Sequence, residues 1–386
     1  MEMSCRFHHS VLVAIAVALL AVFPPSPAER VQARSQPGSS AVSARGDETF
    51  LPIAPAPCRE YCVGWAVGGS ADGYGVILRT DDGDVTWKRQ GQVGEIPNAG
   101  LSGVSAVDAR NAWVVGGQVI LHTRNGGLTW KQQELPHGLP QGFELSQVKA
   151  LDRRTALAVG SPSVLLRTSR RARPGDAARW VKVPTGPHLP PITFSDVDAV
   201  GARHVWAVGG VISGSSSRGG LAIAFYNGRR WIPQLRTRTT QQTCNVMIGL
   251  SALDRRTAWA VGGLNCPPYR TVNGGAAWRA IGAPLAPGLF DTNRIVAVTH
   301  DLIWIAADNG VYRTTNGGAV WQQTGGCSGG SYCYAISAAG TKYAWASSLS
   351  PRPPGDVYRW VRNHWESQTI PATSSIVTIS FAGARR

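Results

Sequence analysis

Beyond its first two dozen residues the chain has no long apolar run. It also has no Cys-x-x-Cys, no Asn-x-Ser/Thr and few stretches of helical periodicity. The first absence leaves no second segment able to cross a bilayer. The second, with eight histidines that never fall at ligand spacing, argues against zinc, and no metal or cofactor is expected. The missing glycosylation acceptor fits bacterial export. Carboxylates are also scarce: past residue 62 the only glutamates are Glu95, Glu134, Glu144 and Glu366. A glycoside hydrolase needs two carboxylates across a cleft, and most aspartates, such as Asp108, Asp152 and Asp254, fall in repeated turns. Asp196, Asp198, Asp291 and Asp308 have no such assignment. No Ser-His-Asp pattern occurs locally, and no glycine-rich stretch joins a strand to a helix as phosphate binding requires.

What the chain has in quantity is turn formers, tryptophan and positive charge. Its 386 residues include 45 Gly, 25 Pro and 14 Trp, which suits many short strands joined by tight turns. A net charge of +15 and a pI near 10.0 give a surface attractive to anions: acidic proteins, anionic headgroups, acidic polysaccharide or nucleic acid. The plainer reading is a solvated basic surface without a dedicated ligand.

The N-terminus reads as an export signal. Arg6 precedes an apolar core, Val11 to Phe23, too short to span comfortably, and small residues follow Pro24 and Pro25. Residues 1–28 are expected to be a secretory signal, with an uncleaved anchor as the alternative. Residues 29–57, rich in Ser, Pro, Ala and Arg, read as a flexible tether. Removing the signal leaves six of the seven cysteines, an even number in an oxidising compartment. Of fifteen connectivities the local pairs Cys58/Cys62, Cys244/Cys266 and Cys327/Cys333 are preferred.

The rest is a sevenfold repeat. Its anchor is Trp65-Ala-Val-Gly, then Trp113-Val-Val-Gly, Leu157-Ala-Val-Gly, Trp206-Ala-Val-Gly, Trp259-Ala-Val-Gly, Trp304-Ile-Ala-Ala and Trp345-Ala-Ser-Ser, spaced 41 to 53 residues apart. That spacing suits four-stranded propeller blades. In the second unit the strands are expected at Val104–Val107, Ala112–Val115, Val119–Thr123 and Leu128–Gln132, with Asn125-Gly126-Gly127 turning the last pair. A second tryptophan is expected on each fourth strand: Trp87, Trp130, Trp180, Trp231, Trp278, Trp321 and Trp365. Large apolar filling between twisted sheets explains both tryptophan positions. The first unit lacks an inner strand, whereas Ile379 to Arg385 aligns with Val104 to Arg110. The expected fold is therefore all-β: a seven-bladed propeller over residues 58–386 whose C-terminal strand completes blade one, leaving no open edge.

The turn Thr-x-Asn/Asp-x-Gly-x-Thr-Trp resembles the Asp-box, or BNR repeat, of sialidases, some endoglucanases and sortilin-type receptors. It is carried by blades one, two, five and six around Asp82, Asn125, Asn273 and Asn316. The resemblance implies structural turns in which these side chains bond local backbone. The fuller string, Trp-Ala-Val-Gly, Ile-Leu-x-Thr, Asn-Gly-Gly-x-Thr-Trp, resembles the photosystem II assembly factor family, Ycf48/Hcf136, over about residues 62–383. That likeness implies an exported, non-catalytic factor that binds a membrane-protein precursor. A sialidase would need an Arg-Ile-Pro signature near the first blade, which is absent, and neither Glu144 nor Glu366 has a tyrosine partner in a neighbouring repeat.

A basic residue recurs after the inner strand: Arg110, Arg154, Arg203, Arg256, Lys342 and Arg385. On a closed ring these would form a positive annulus for an acidic segment. The alternative is that each pairs with its repeat-mate Asp or caps a turn carbonyl. A second set, Arg79, Arg167, Arg270, Arg313 and Arg359, precedes the box position and suits bonds between blades. The variable loops Gly68–Gly75, Gly209–Gly220, Gly262–Arg270 and Ser347–Asp356 fall on the opposite rim, where specificity is also expected. The function these features imply is an exported, non-catalytic binding scaffold, monomeric, in the periplasm, cell envelope or medium. Its partner would be a protein, acidic or membrane-associated, with anionic polysaccharide as another candidate; export argues against nucleic acid. The alternatives are a secreted glycan-active enzyme and a polysaccharide-binding envelope protein.

Overall fold

The computed structural model describes residues 63–382 apart from 71–72, 84–85, 92–95, 98, 170–178, 188, 213–219, 237–243, 245, 264–265, 283–284, 286–290, 328–331, 350–356, 369 and 372–373. The expected signal and tether lie outside them, as does Arg385. Two of the three preferred cysteine pairs are formed, Cys244 with Cys266 and Cys327 with Cys333. The third preferred pair, Cys58 with Cys62, lies outside the described residues.

The described strands form seven antiparallel sheets of four strands each. Blade two runs Gly103–Asp108, Asn111–Gly116, Val119–Thr123 and Lys131–Gln132 from the axis outward. Blade one takes its inner strand, Ser374–Phe381, from the far end of the chain. That strand pairs with Gly64–Ser70 in a register that sets Gly64 opposite Phe381 and Trp65 opposite Ser380. Inner strands touch in sequence around the whole ring, so the propeller closes. Closure hides the ladder groups an open sheet would offer to other chains.

Anchor residues fill the seams between blades. Trp65, Trp113, Trp206, Trp259, Trp304 and Trp345 are wholly buried or nearly so, on second strands that are buried on both faces. The close approach of backbones explains the glycine that follows. A Cβ at Gly116 would come 2.1 Å from the Gly100 carbonyl oxygen, and one at Gly160 would come 1.9 Å from that of Glu144.

The second tryptophan position differs from expectation. In the box-bearing blades Trp87, Trp130, Trp278 and Trp321 precede the fourth strand rather than sit on it, and blade two's fourth strand begins only at Lys131. The box turn holds Thr129 in its own hydrogen bonds to Asn125, which shortens the strand. Where the box is missing, Trp180 and Trp231 open the fourth strand and Trp365 lies within it.

Candidate functional site

The turns between strands one and two and between strands three and four lie on the same rim. The Gly126 N–H donates to the Arg110 carbonyl at 2.9 Å, Gly274 to Arg256 at 2.9 Å, and Gly317 to Asp301 at 3.1 Å. In the inner turns of blades two, three and five an aspartate closes an Asx turn, and in blade six the Thr299 hydroxyl takes that place. Asp108 Oδ1 accepts the N–H groups of Arg110 and Asn111 at 2.8 and 3.0 Å. Asp152 does the same for Arg154 and Thr155, and Asp254 for Arg256 and Thr257. In blades two and five the second carboxylate oxygen is taken by the next blade: Arg153 reaches Asp108 at 2.6 Å, and His300 reaches Asp254 at 2.9 Å. Partial burial pushes the Asp108 carboxyl up. The bonds from Asn111, the Arg110 N–H and Arg153 outweigh it and hold the group below the ordinary carboxylate range. Burial and the opposing bonds from Arg256, Thr257 and His300 leave Asp254 lowered in the same way.

Asp108 and Asp254 are thus occupied by backbone and by the neighbouring blade, and Asp152 by backbone; among the described residues no ion pair ties them to their repeat-mate arginines. Arg110, Arg154, Arg203, Arg256 and Lys342 are exposed on this rim, and among the described residues none forms a salt bridge. The arc is interrupted at blade six, where Asp301 stands in the place of Arg256.

The four boxes are self-contained turns on the same rim. Asn125 Oδ1 accepts the Thr129 N–H and the Thr123 hydroxyl, both at 3.0 Å, and Thr123 Oγ1 accepts the Gly127 N–H at 2.8 Å. Asp82 accepts the Thr86 N–H at 3.0 Å, while Asn273 and Asn316 accept those of Ala277 and Val320 at 2.9 Å. Gly126 and Gly127 sit at φ +77° and +85°, which a side chain at either position would resist.

The third-strand arginines work between blades. Arg79, Arg270 and Arg313 lie over Trp65, Trp259 and Trp304 at 5.3, 5.1 and 5.2 Å from the ring centroid. Arg79 donates to the Gly126 carbonyl in the box of the following blade, and Arg270 donates to that of Gly317 at 3.3 Å. Blade four carries Phe225 at this position, and Gln234 of its fourth strand reaches the Gly274 carbonyl at 2.8 Å instead. Blade two carries His122, stacked on Trp113 at 3.6 Å. Burial, with the Arg124 charge adding to it, pushes the His122 pKa down to about 3, so the ring is neutral.

The inner strands enclose a channel of about 250 Å³ along the axis. Asp196 and Asp198 on Ile192–Gly201 face it together, but each is engaged. Asp196 accepts the Val197 and Leu250 N–H groups, both at 2.8 Å. Asp198 accepts those of Ala199 and Ala252 at 2.9 and 2.8 Å, and Lys149 of blade three lies 2.8 Å away. Burial raises the Asp196 pKa to about 6 against the opposing charge of Arg294. These carboxylates staple blade four to blade five. Ser105 and Ser251 do the same elsewhere, accepting the Ala150 and Ala297 N–H groups at 3.0 and 2.9 Å.

The opposite rim carries the disulfides Cys244–Cys266 and Cys327–Cys333. There Asp308 accepts bonds from the Asp291 N–H and from Asn293, while burial raises its pKa. Much of the variable loops on this rim lies outside the described residues. Glu144 is exposed, and Glu366 pairs with His364 at 3.1 Å. Among the described residues no three His, Cys, Asp or Glu side chains converge for a metal. Sequence reading missed the roles of Lys149 and Gln234. A signal for Gln234 did exist, since Phe225 replaces the basic residue that would otherwise hold the next box.

The family model for the photosynthesis system II assembly factor YCF48 matches residues 46–186 and 98–220. Among curated proteins no sequence matches. Two solved structures of similar fold are YCF48 bound to D1 peptide and YCF48 from Cyanidioschyzon merolae. The first is 20% identical with a TM-score of 0.56, covering 78% of this chain and 90% of that one. The second is 17% identical with a TM-score of 0.54, over 79% and 97%. A streptogramin B lyase shares the fold too, at 11% identity and a TM-score of 0.55 over 71% and 84%, so the ring itself does not decide chemistry.

Proposed function

From the premise that this chain is a YCF48-like BNR-repeat propeller, we propose that it is a non-catalytic scaffold that binds an acidic segment of a protein partner on its turn rim. The observation that carries the reading is the rim's charge. Arg110, Arg154, Arg203 and Arg256 stand exposed, while Asp108, Asp152 and Asp254 of the turns that hold three of them are engaged by backbone N–H groups. An acidic chain lying along this arc would meet successive guanidinium groups presented by rigid turns. A YCF48 solved with a D1 peptide is a relevant precedent, since that propeller holds a peptide. The engaged channel carboxylates support the absence of hydrolysis, because neither Asp196 nor Asp198 is available as a general acid or nucleophile.

The reading includes export to an envelope compartment. The signal-like residues 1–28 favour it, and two disulfides fit an oxidising environment.

The test is capture of partners from envelope extract at low and moderate salt, with the wild type and with a variant carrying Arg110, Arg154 and Arg256 changed to Ser. The proposal expects a discrete protein that survives moderate salt and is lost with the variant. Diffuse, salt-sensitive capture of many acidic species would contradict it.

A further inference from the structure

Blades three and four meet differently from their neighbours on the turn rim. Blade three alone has leucine, Leu157, where the other second strands carry the anchor tryptophan, and the register sets Arg167 opposite it. Arg167 therefore has no indole to lie on. Blade four has no box either: its outer turn is closed by Asn227 Oδ1, which accepts the Arg229 and Arg230 N–H groups at 3.0 Å. Arg167 thus lacks the glycine carbonyl that Arg79 and Arg270 find in the following blade. Its single hydrogen bond among the described residues is a long one, 3.4 Å, to the Thr168 carbonyl.

The missing indole leaves a cavity of about 180 Å³, lined by Leu157, Arg167, Thr168, Arg203, Tyr226 and Gly228 among others. Arg203 is held there by shape. Its stem lies where a Cβ on Gly228 would fall, 2.6 Å from Arg203 Cγ, so the glycine makes room for it. Its guanidinium has no partner among the described residues. Arg167 and Arg203 thus line one pocket with an apolar floor of Leu157 and Tyr226, and neither is paired with a carboxylate among the described residues. A carboxylate is the group that two arginines lining one pocket attract, whereas a cation is repelled and an apolar group gains nothing from their charge.

We infer that this pocket is a carboxylate seat, an anchor that fixes one acidic group of the bound segment between blades three and four. The inference rests on the rim-binding reading and adds a single defined subsite to it. The carboxylate is either an Asp or Glu side chain or a chain terminus.

The test uses two fluorescein-labelled decapeptides. One is a Gly/Ser chain with four glutamates and an amidated end; the other is Gly/Ser only, with a free terminal carboxylate. The variants are Arg167→Gln, which removes a donor, and Leu157→Trp, which gives blade three the ring its neighbours have. Leu157→Trp leaves the charge untouched but fills the cavity and offers Arg167 a stacking partner. Each variant should weaken binding at least about tenfold, while Arg110→Gln weakens it about twofold. Loss confined to the glutamate probe assigns a side chain, and loss confined to the other assigns a terminus; either supports the seat. Should Leu157→Trp and Arg167→Gln bind like wild type while Arg110→Gln weakens binding, the seat is wrong and the rim reading stands. Binding of neither probe by the wild type at low salt overturns both.

Discussion

Closure of the ring predicts that stability depends on the last strand far more than its position in the chain suggests. Phe381 is buried, stacked on Trp345 of blade seven at 3.6 Å between centroids and edge-on to Trp87 at 6.1 Å. Its ring occupies the space a Cβ at Gly64 would need, 2.6 Å away. Phe381→Ala should therefore cost about 3–5 kcal/mol, the usual penalty for emptying an aromatic site that cannot collapse. Truncation after residue 373 removes Ile376 and Ile379 as well, both buried. At about 1.5–3 kcal/mol for each side chain, the three together amount to roughly 5–9 kcal/mol. It also removes ties to both neighbours: the Ala106 N–H to Ser380 Oγ at 3.0 Å, Thr378 Oγ1 to the Ser102 carbonyl at 2.6 Å, and Ser347 Oγ to the Ile376 carbonyl at 3.0 Å. The sum approaches the whole stability of an ordinary domain, about 5–15 kcal/mol. Urea unfolding followed by tryptophan fluorescence should show a lowered midpoint with an unchanged slope for Phe381→Ala, and no cooperative transition for the truncated chain. A truncated chain that is monomeric by size exclusion and unfolds cooperatively would show that the last strand does not close the ring, as would a Phe381→Ala loss below about 1 kcal/mol.

Two further predictions concern the seams. His122 has a folded pKa near 3 against an unfolded value of 6.5, so its contribution is complete above about pH 6.5 and is lost as pH falls toward 3. Asp196, raised to about 6, has the opposite slope, with stability lost as pH rises from about 4 to 6. His122→Phe, which copies Phe225 of blade four, should thus lose about 3 kcal/mol less than wild type between pH 7 and pH 4.5, as read by urea titrations at the two pH values. Equal acid sensitivity would show that His122 is not buried as a neutral ring. Arg270 and Arg313 stack alike on tryptophan, but only Arg270 has a bond to a following box, at Gly317. Arg270→Ala should cost about 1 kcal/mol more than Arg313→Ala in thermal unfolding, and equal costs would remove the box latch from the account.

The architecture was legible because its determinants repeat and act locally. An Asn-Gly-Gly turn sets a hairpin by its own dihedral needs, and Trp-Ala-Val-Gly marks a strand buried on both faces. Closure could be read because Ile379 to Arg385 matches an inner strand that blade one lacks. The fourth strands were placed too early because box hydrogen bonds compete with sheet pairing for Thr129 and its equivalents. What stayed hidden depends on which blade stands alongside. The sequence places Asp196 and Asp198 on one strand, yet their engagement comes from Leu250 and Ala252 more than fifty residues away. The pairing of Asp108 with Arg153, rather than with its own arginine, is likewise a property of the ring. Leu157 was visible as the one anchor that is not aromatic. Its consequence for Arg167 emerges only when the two are seen in register.

Whether the partner lies on the turn rim can be read by site-specific photo-crosslinking. Ala109 and Gln118 are both exposed and both in blade two, one on the turn rim and one on the opposite rim. A photoreactive residue at position 109 should yield a discrete adduct in envelope extract that disappears when Arg154 and Arg256 are changed to Ser, while position 118 yields none. A discrete adduct from position 118 alone would place the partner on the disulfide-bearing rim and contradict the account.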